Sequence, residues 1–299
     1  DGVGRYDIYS ADVWLFTEPL AGHLGDLWDH GVDRALELVL AVGRRDGTAV
    51  PWGRSTGDLA AALTLEMAAL ALSTGRAADH AATWVRRAAD AADTLVGGFA
   101  ADGVSTAHVH RDQDAYRGPE RRLQLTFDLL GKVAWAAGAL GRVPADLAGL
   151  PAADAAEAYP PQDRWIAFEA DRPAGAWAHR RPGLDVVVPF VGTTRSHYLP
   201  APADPGTFEV PVDRDLPTWT PLVVDHLRRF TAGGLPASVA VDPGSVTARW
   251  DGLPVSGRGL DGDDPGPPLG GTRTASLSVE GRSLVLRDHL VIDRPPVAV

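Results

Sequence analysis

The chain of 299 residues contains no cysteine and no asparagine, one lysine (Lys132) and one methionine (Met67). The absence of cysteine excludes disulfides, thiolate metal ligands and a cysteine nucleophile. No apolar run is long enough to predict a transmembrane helix. Arginine, alanine, glycine and aspartate are abundant, so we interpret the scarcity of lysine as a coding bias and not as a functional signal.

The chain is acidic, with a net charge of −11 and a pI near 5.2. It lacks the basic face that would collect phosphates, so we expect neither a nucleic acid nor a membrane as partner. Phosphate-loop, G-x-S-x-G and H-E-x-x-H motifs are absent, and we expect no cofactor. The chain opens on DGVGRYDIY without an initiator methionine. We therefore expect that its start is missing, which leaves a cytoplasmic or secreted location and the oligomeric state open.

Apolar residues in the first half recur at helical spacing. After a short helix within residues 1–24, this spacing predicts the helices Leu24–Val42, Gly57–Ser73, Ala77–Val96 and Arg121–Leu140. Alternating short and long connections between them indicate stacked helical hairpins. We predict a helical domain over residues 1–142, followed by a Pro/Ala-rich linker over residues 143–163.

Beyond the linker, short β-type runs alternate with Pro/Gly turns and no helical pattern intervenes. The predicted strands are Trp165–Ala170, Leu184–Val191, Thr207–Val212, Trp219–Val224, Ser238–Val241, Ser245–Asp251, Thr274–Glu280 and Ser283–Asp293. This pattern predicts an antiparallel β-sandwich over residues 164–299.

The stretch from Val50 to Leu72, VPWGRSTGDLAAALTLEMAALAL, joins a Pro-Trp-Gly turn to a capped apolar helix. Arg54 precedes the helix start, where free backbone N–H groups and the guanidinium together favour an anion. A structural arginine that ties the turn to a neighbouring acid is the alternative interpretation.

Helical hairpins followed by a sandwich resemble the toroid-plus-sandwich polysaccharide lyases of the heparinase II/III type. RYDIYSADVWLF together with VPWGRSTGDLAAAL is also similar to the bacterial domain of unknown function 2264. The resemblance covers residues 1–140 in order and motif, and the sandwich only in architecture. It implies a partial α/α toroid followed by an antiparallel β-sandwich, and an enzyme, a carbon–oxygen lyase, that cleaves an acidic polysaccharide or oligosaccharide by β-elimination at a uronic acid.

Such an elimination needs a neutralised carboxylate, a base for the C5 proton and an acid for the leaving O4. We predict Tyr6 and Tyr9 as base and acid, Arg54 as the neutralising group, and His108 or His110 as an auxiliary base or second neutraliser. Many lyases of this type neutralise with asparagine, which this chain lacks. Gln113 or Arg54 must take that role.

Further residues are predicted to contact the substrate. Trp14 and Trp52 offer rings on which sugars can stack, Arg117 adds positive charge, and Asp58 and Gln113 complete the set. The run H-x-H-x-D-x-D from His108 could hold a metal with Asp112 and Asp114, but we interpret it as a solvated polar loop and expect no metal.

Two alternatives remain. Asp7, Asp12 and Asp58 lie near the predicted cleft and could act as paired carboxylates of a glycoside hydrolase. A non-catalytic carbohydrate-binding or assembly protein would need only exposed tryptophans along a groove.

Overall fold

A computed structural model of the chain describes residues 7–50, 58–76, 78–105, 120–190, 221–225, 228–231, 235–253, 255–256 and 267–293. These residues divide into two compact units, a helical unit that ends at Pro161 and a strand unit that begins at Gln162. Helices come first and antiparallel sheets second, which confirms an α+β chain. No helix within the described ranges is both long and apolar enough to cross a bilayer.

The helical unit is built on four helices of four turns or more in the described part of the chain. In chain order its helices are α1 (Asp7–Phe16), α2 (Ala21–Leu24), α3 (Asp26–Val42), α4 (Asp58–Ser73), α5 (Ala81–Gly97), α6 (Glu120–Leu140) and α7 (Ala155–Ala158), with short 3₁₀ helices at Glu18–Leu20 and Ala78–His80. The bounds of α3 to α6 agree with the predicted helices to within about one turn.

Helix α4 lies at the centre of the helical unit. Every residue from Leu59 to Leu72 is buried, and α4 packs against α1, α3, α5 and α6. Apart from Thr64 and Glu66, this run is apolar on all sides of the helix, which favours the core position.

Helices α1, α4 and α6 run in the same direction. Asp12 contacts Lys132 and, further along both elements, Glu18 contacts Arg142, so α1 and α6 are parallel. Helices α4 and α5 form a hairpin, and the N–H of Ser105, just beyond α5, donates to Thr126 Oγ1 near the start of α6. The first residues of α1, α4 and α6 therefore lie at one end of the helical unit.

The segment expected to be a linker, residues 143–163, packs onto the helical unit near its end. Ala153, Ala158 and Tyr159 are buried. Arg87 in α5 donates to the Ala158 carbonyl oxygen at 3.2 and 2.9 Å and its guanidinium lies 4.8 Å from the Tyr159 ring. The first strand begins at Gln162, within the same segment.

The strand unit contains ten strands in the described residues, all paired antiparallel. They are β1 (Gln162–Ala167), β2 (Gly175–Arg181), β3 (Leu184–Phe190), β4 (Leu222–Asp225), β5 (Arg228–Thr231), β6 (Ser238–Asp242), β7 (Ser245–Leu253), β8 (Val255–Ser256), β9 (Leu269–Glu280) and β10 (Ser283–Ile292). They form the sheets β1-β2-β3, β10-β9-β7-β6 and β4-β5-β8.

The first two of these sheets share one apolar core. Trp177, Val188 and Phe190 of the first sheet cluster with Trp250 and Leu277 of the second. The rings of Phe190 and Trp250 meet with centroids 6.2 Å apart. One face of each sheet is therefore buried against the other.

Asp163 in β1 adds a polar link between these two sheets. Its carboxylate accepts from Trp177 Nε1 at 3.0 Å and from the N–H of Gly244, in the β6–β7 turn, at 2.5 Å. Burial opposes ionisation, but these hydrogen bonds outweigh it and hold the pKa of Asp163 below its ordinary value.

Candidate functional site

Three ionisable side chains meet in the core of the helical unit: Asp12 from α1, Glu66 from α4 and Lys132 from α6. Glu66 is the one charged residue in the run from Leu59 to Leu72, which is apolar except for Glu66 and Thr64. Lys132 lies on the buried face of α6, between Leu129 and Ala136. We refer to Asp12, Glu66 and Lys132 as the buried triad.

Lys132 Nζ joins the two acids. It donates to Asp12 Oδ2 at 2.6 Å and to Glu66 Oε2 at 3.3 Å. These two oxygens lie no more than about 5.9 Å apart, which is the sum of the two distances. All three residues are at least 96% buried, while the ring of Phe16, which is 60% exposed, has its centroid 5.3 Å from Nζ.

The buried triad contains two carboxyl groups and one amine. Lys132 therefore cannot neutralise both carboxylates, and this affects the pKa values of all three groups. Burial raises the pKa of Glu66 to about 7, with Lys132 opposing the shift and Asp12 and Asp128 adding to it. Burial also raises the pKa of Asp12 against the same opposition from Lys132. Although burial lowers the pKa of Lys132, Glu66 and Asp12 outweigh it and raise that pKa.

Chemically, the buried triad can hold a proton and give it up near neutral pH. Among the described residues no donor reaches Asp12 Oδ1 or Glu66 Oε1, so each carboxyl group keeps one oxygen for a proton or a further donor. The described residues contain no group of three or more histidine, cysteine, aspartate or glutamate side chains arranged to hold a metal ion.

The predicted site residues fall mostly on segments that lead into α1, α4 and α6. Seven of them lie outside the described residues: Tyr6, Trp52, Arg54, His108, His110, Gln113 and Arg117. Tyr9 lies in α1 and Asp58 is the first residue of α4, and their side chains also lie outside the described part. The alternative hydrolase residues Asp7 and Asp12 both lie in α1.

Trp14 is described, and it packs within the helical unit. Its ring lies so close to Gly31 that a Cβ at that position would overlap it. Its carbonyl oxygen accepts from Trp28 Nε1 at 2.9 Å. The ring therefore joins α1 to α3, and glycine at position 31 is what permits the approach.

Val50, the residue before Pro51, has a strained backbone. It is fully buried and has φ of +46°, a conformation that a β-branched residue avoids and that a following proline disfavours further. Such strain costs roughly 1–3 kcal/mol and persists only where surrounding packing enforces it. It lies immediately before the PWGRS motif.

The sequence analysis did not identify Glu66 or Lys132 as site residues. Two signals were present: a single acid inside a helix that is apolar on every side, and the single lysine of the chain on an apolar helix face. Either signal predicts a buried ion that requires a partner.

No protein-family model, curated protein or solved structure matches the chain.

Proposed function

We propose that the chain is a carbohydrate-active protein that cleaves an acidic polysaccharide or oligosaccharide by β-elimination at a uronic acid. The observation that carries this proposal is the common direction of α1, α4 and α6. The segments leading into these three helices contain Tyr6, Arg54 and the run from His108 to Arg117. We propose that these residues supply the chemistry of the reaction.

The parallel helices supply electrostatic support for this reaction. A helix N-terminus carries roughly half a positive charge and free N–H groups. Three such ends favour a uronate and the enolate-like charge that develops when its C5 proton is removed. In this mechanism Arg54 neutralises the carboxylate, Tyr6 and Tyr9 act as base and acid, and His108 or His110 assists.

The proposed architecture is part of an α/α toroid followed by a β-sandwich. The α4–α5 hairpin and the return of α6 parallel to α4 support stacked hairpins. The core shared by the sheets β1-β2-β3 and β10-β9-β7-β6 supports a sandwich.

Hydrolysis by paired carboxylates is the second candidate, because the buried triad itself contains an acid pair. The oxygens of Asp12 and Glu66 that face Lys132 lie no more than about 5.9 Å apart. This upper bound is compatible with the roughly 5–5.5 Å separation typical of retaining glycosidases. The pKa of Glu66, raised to about 7 by burial, suits a general acid. This route requires Phe16 to move and admit the sugar.

The test offers the chain polyuronates and glycosaminoglycans and follows ultraviolet absorbance from unsaturated uronate products. We expect absorbance to rise with the unmodified chain and not with the Arg54→Ala variant. The control variant Arg34→Ala, which changes an exposed arginine, should show the same rise as the unmodified chain. New reducing ends without absorbance would indicate hydrolysis instead. Binding without either product would indicate a non-catalytic carbohydrate-binding protein and overturn both reactions.

A further inference from the structure

In the buried triad, the ammonium group of Lys132 joins three helices. The part that this contact plays in holding α1 in place differs from the part that it plays for α4 and α6. Helix α4 is buried along its length and α6 contributes Leu125, Leu129, Ala136 and Ala139 to the core around it. Helix α1 is ten residues long. Its buried apolar anchors are Ile8, Ala11 and Leu15. Trp14 adds packing on α3, and Asp12 is the ionic link of α1 to α6 and, through Lys132, to α4.

We propose that the buried triad is a proton-operated latch, which holds α1 on α4 and α6 when one carboxyl group is protonated and loosens α1 when both are ionised. When one carboxyl group carries a proton, the charge of the other carboxylate and that of Lys132 cancel. Without it, the site holds a net charge of −1 that is removed from water by burial. Movement of α1 with Asp12 and Phe16 would let water reach the remaining charges.

The charged groups around Glu66 support this assignment. Asp12 faces it from α1, and Lys132 and Asp128 act on it from α6. On α3, the side chains of Asp33, Arg34 and Glu37 are exposed. On α5, the buried Arg87 donates to the carbonyl oxygens of Val39, Leu40 and Ala158. Among the described residues, Lys132 is the cation in contact with Glu66.

The size of the effect follows from proton linkage. The pKa of Glu66 is about 7 in the docked state, because burial raises it from an ordinary value of 4.5. If opening α1 restores the ordinary value, the opening equilibrium rises by up to roughly 30-fold between about pH 5.5 and about pH 8. Burial of Ile8 and Leu15 still favours docking, so the population shifts and α1 is not lost from the fold.

The test is hydrogen exchange of α1 amides in the full chain, measured by mass spectrometry at these two pH values and corrected for the intrinsic pH dependence of exchange. We expect α1 protection to fall by roughly 10- to 30-fold at the higher pH while α5 protection is unchanged. Glu66→Gln and, separately, Asp12→Asn should reduce the change in α1 to within about 2-fold. Glu37→Gln removes an exposed acid from α3 and should leave the change intact.

Two results would overturn the latch. One is α1 protection in the unmodified chain that does not depend on pH. The other is an equal change in α1 and α5, which would mean that Glu66 is linked to unfolding of the whole helical unit. Both readouts come from the unmodified chain, so they hold even if a variant fails to fold, and neither depends on the proposed reaction.

Discussion

Replacing Lys132 by methionine tests whether the buried triad is held together by charge. Methionine keeps an unbranched side chain of similar length, so packing changes little, but the cation that pairs with Asp12 and Glu66 is removed. Breaking a buried ion pair by removing one partner costs about 3–5 kcal/mol, because the remaining charge has no compensation. We expect the free energy of unfolding of the helical unit to fall by that amount at about pH 8.

The pH dependence gives the sign of the effect. Without Lys132 the pKa values of Asp12 and Glu66 rise further, since burial is then unopposed. A carboxyl group whose pKa is raised by folding stabilises the folded state at pH values below its pKa in the unfolded chain. This stabilisation is lost as the pH rises through its folded pKa. The loss in the Lys132→Met variant should therefore be largest at about pH 8 and smallest at about pH 4, near the ordinary values of 3.8 and 4.5.

Denaturant unfolding followed by far-ultraviolet circular dichroism measures this loss at both pH values. Arg34→Met removes an exposed cation paired with Glu37 and should change stability by less than about 0.5 kcal/mol. The triple replacement Asp12→Leu, Glu66→Leu and Lys132→Met should recover most of the loss, because no buried charge remains. A single Lys132→Met variant that loses the same stability at both pH values would refute the electrostatic account.

Two further predictions concern links outside the buried triad. Asp163→Asn should lower stability of the strand unit by about 1 kcal/mol at neutral pH. Hydrogen bonds lower the pKa of Asp163, so the unmodified chain should lose this contribution as the pH falls below about 3.8, and the variant should not. Unfolding monitored by tryptophan fluorescence across that pH range checks this difference. Arg87→Met leaves the carbonyl oxygens of Val39, Leu40 and Ala158 without their charged donor, so stability should fall by about 3 kcal/mol in denaturant unfolding, against almost no change for Arg34→Met.

Much of the secondary structure could be predicted from the sequence, because local periodicity decides it. Helix α4 is apolar from Leu59 to Leu72 apart from Thr64 and Glu66 and lies at the core, and β9 alternates buried and mostly half-buried residues. Strand β2 was missed, since Gly175 to Arg180 is buried on both faces and shows no alternation. Strand β3 is also buried on both faces over residues 186–190, but its run of valines predicted it without alternation.

The buried triad could not be predicted as a unit from local pattern. Asp12 and Lys132 are separated by 120 residues, and Glu66 lies between them in the chain. Spacing assigns each residue to a helix face, but which faces meet depends on the packing of α1, α4 and α6. Asp12 was predicted only as an acid of the hydrolase alternative, although burial beside Lys132 is what determines its chemistry.

Lys132 is the single lysine in a chain whose other 27 basic side chains are arginine. Apart from the α-amino group, an acylating reagent that attacks neutral amines therefore has one target, and this target is 96% buried beneath Phe16 and paired with two acids. The scarcity of lysine, which we attributed to coding bias, makes Lys132 a specific chemical probe of this core. The rate at which a small acylating reagent modifies this one amine measures how often the core of the helical unit opens.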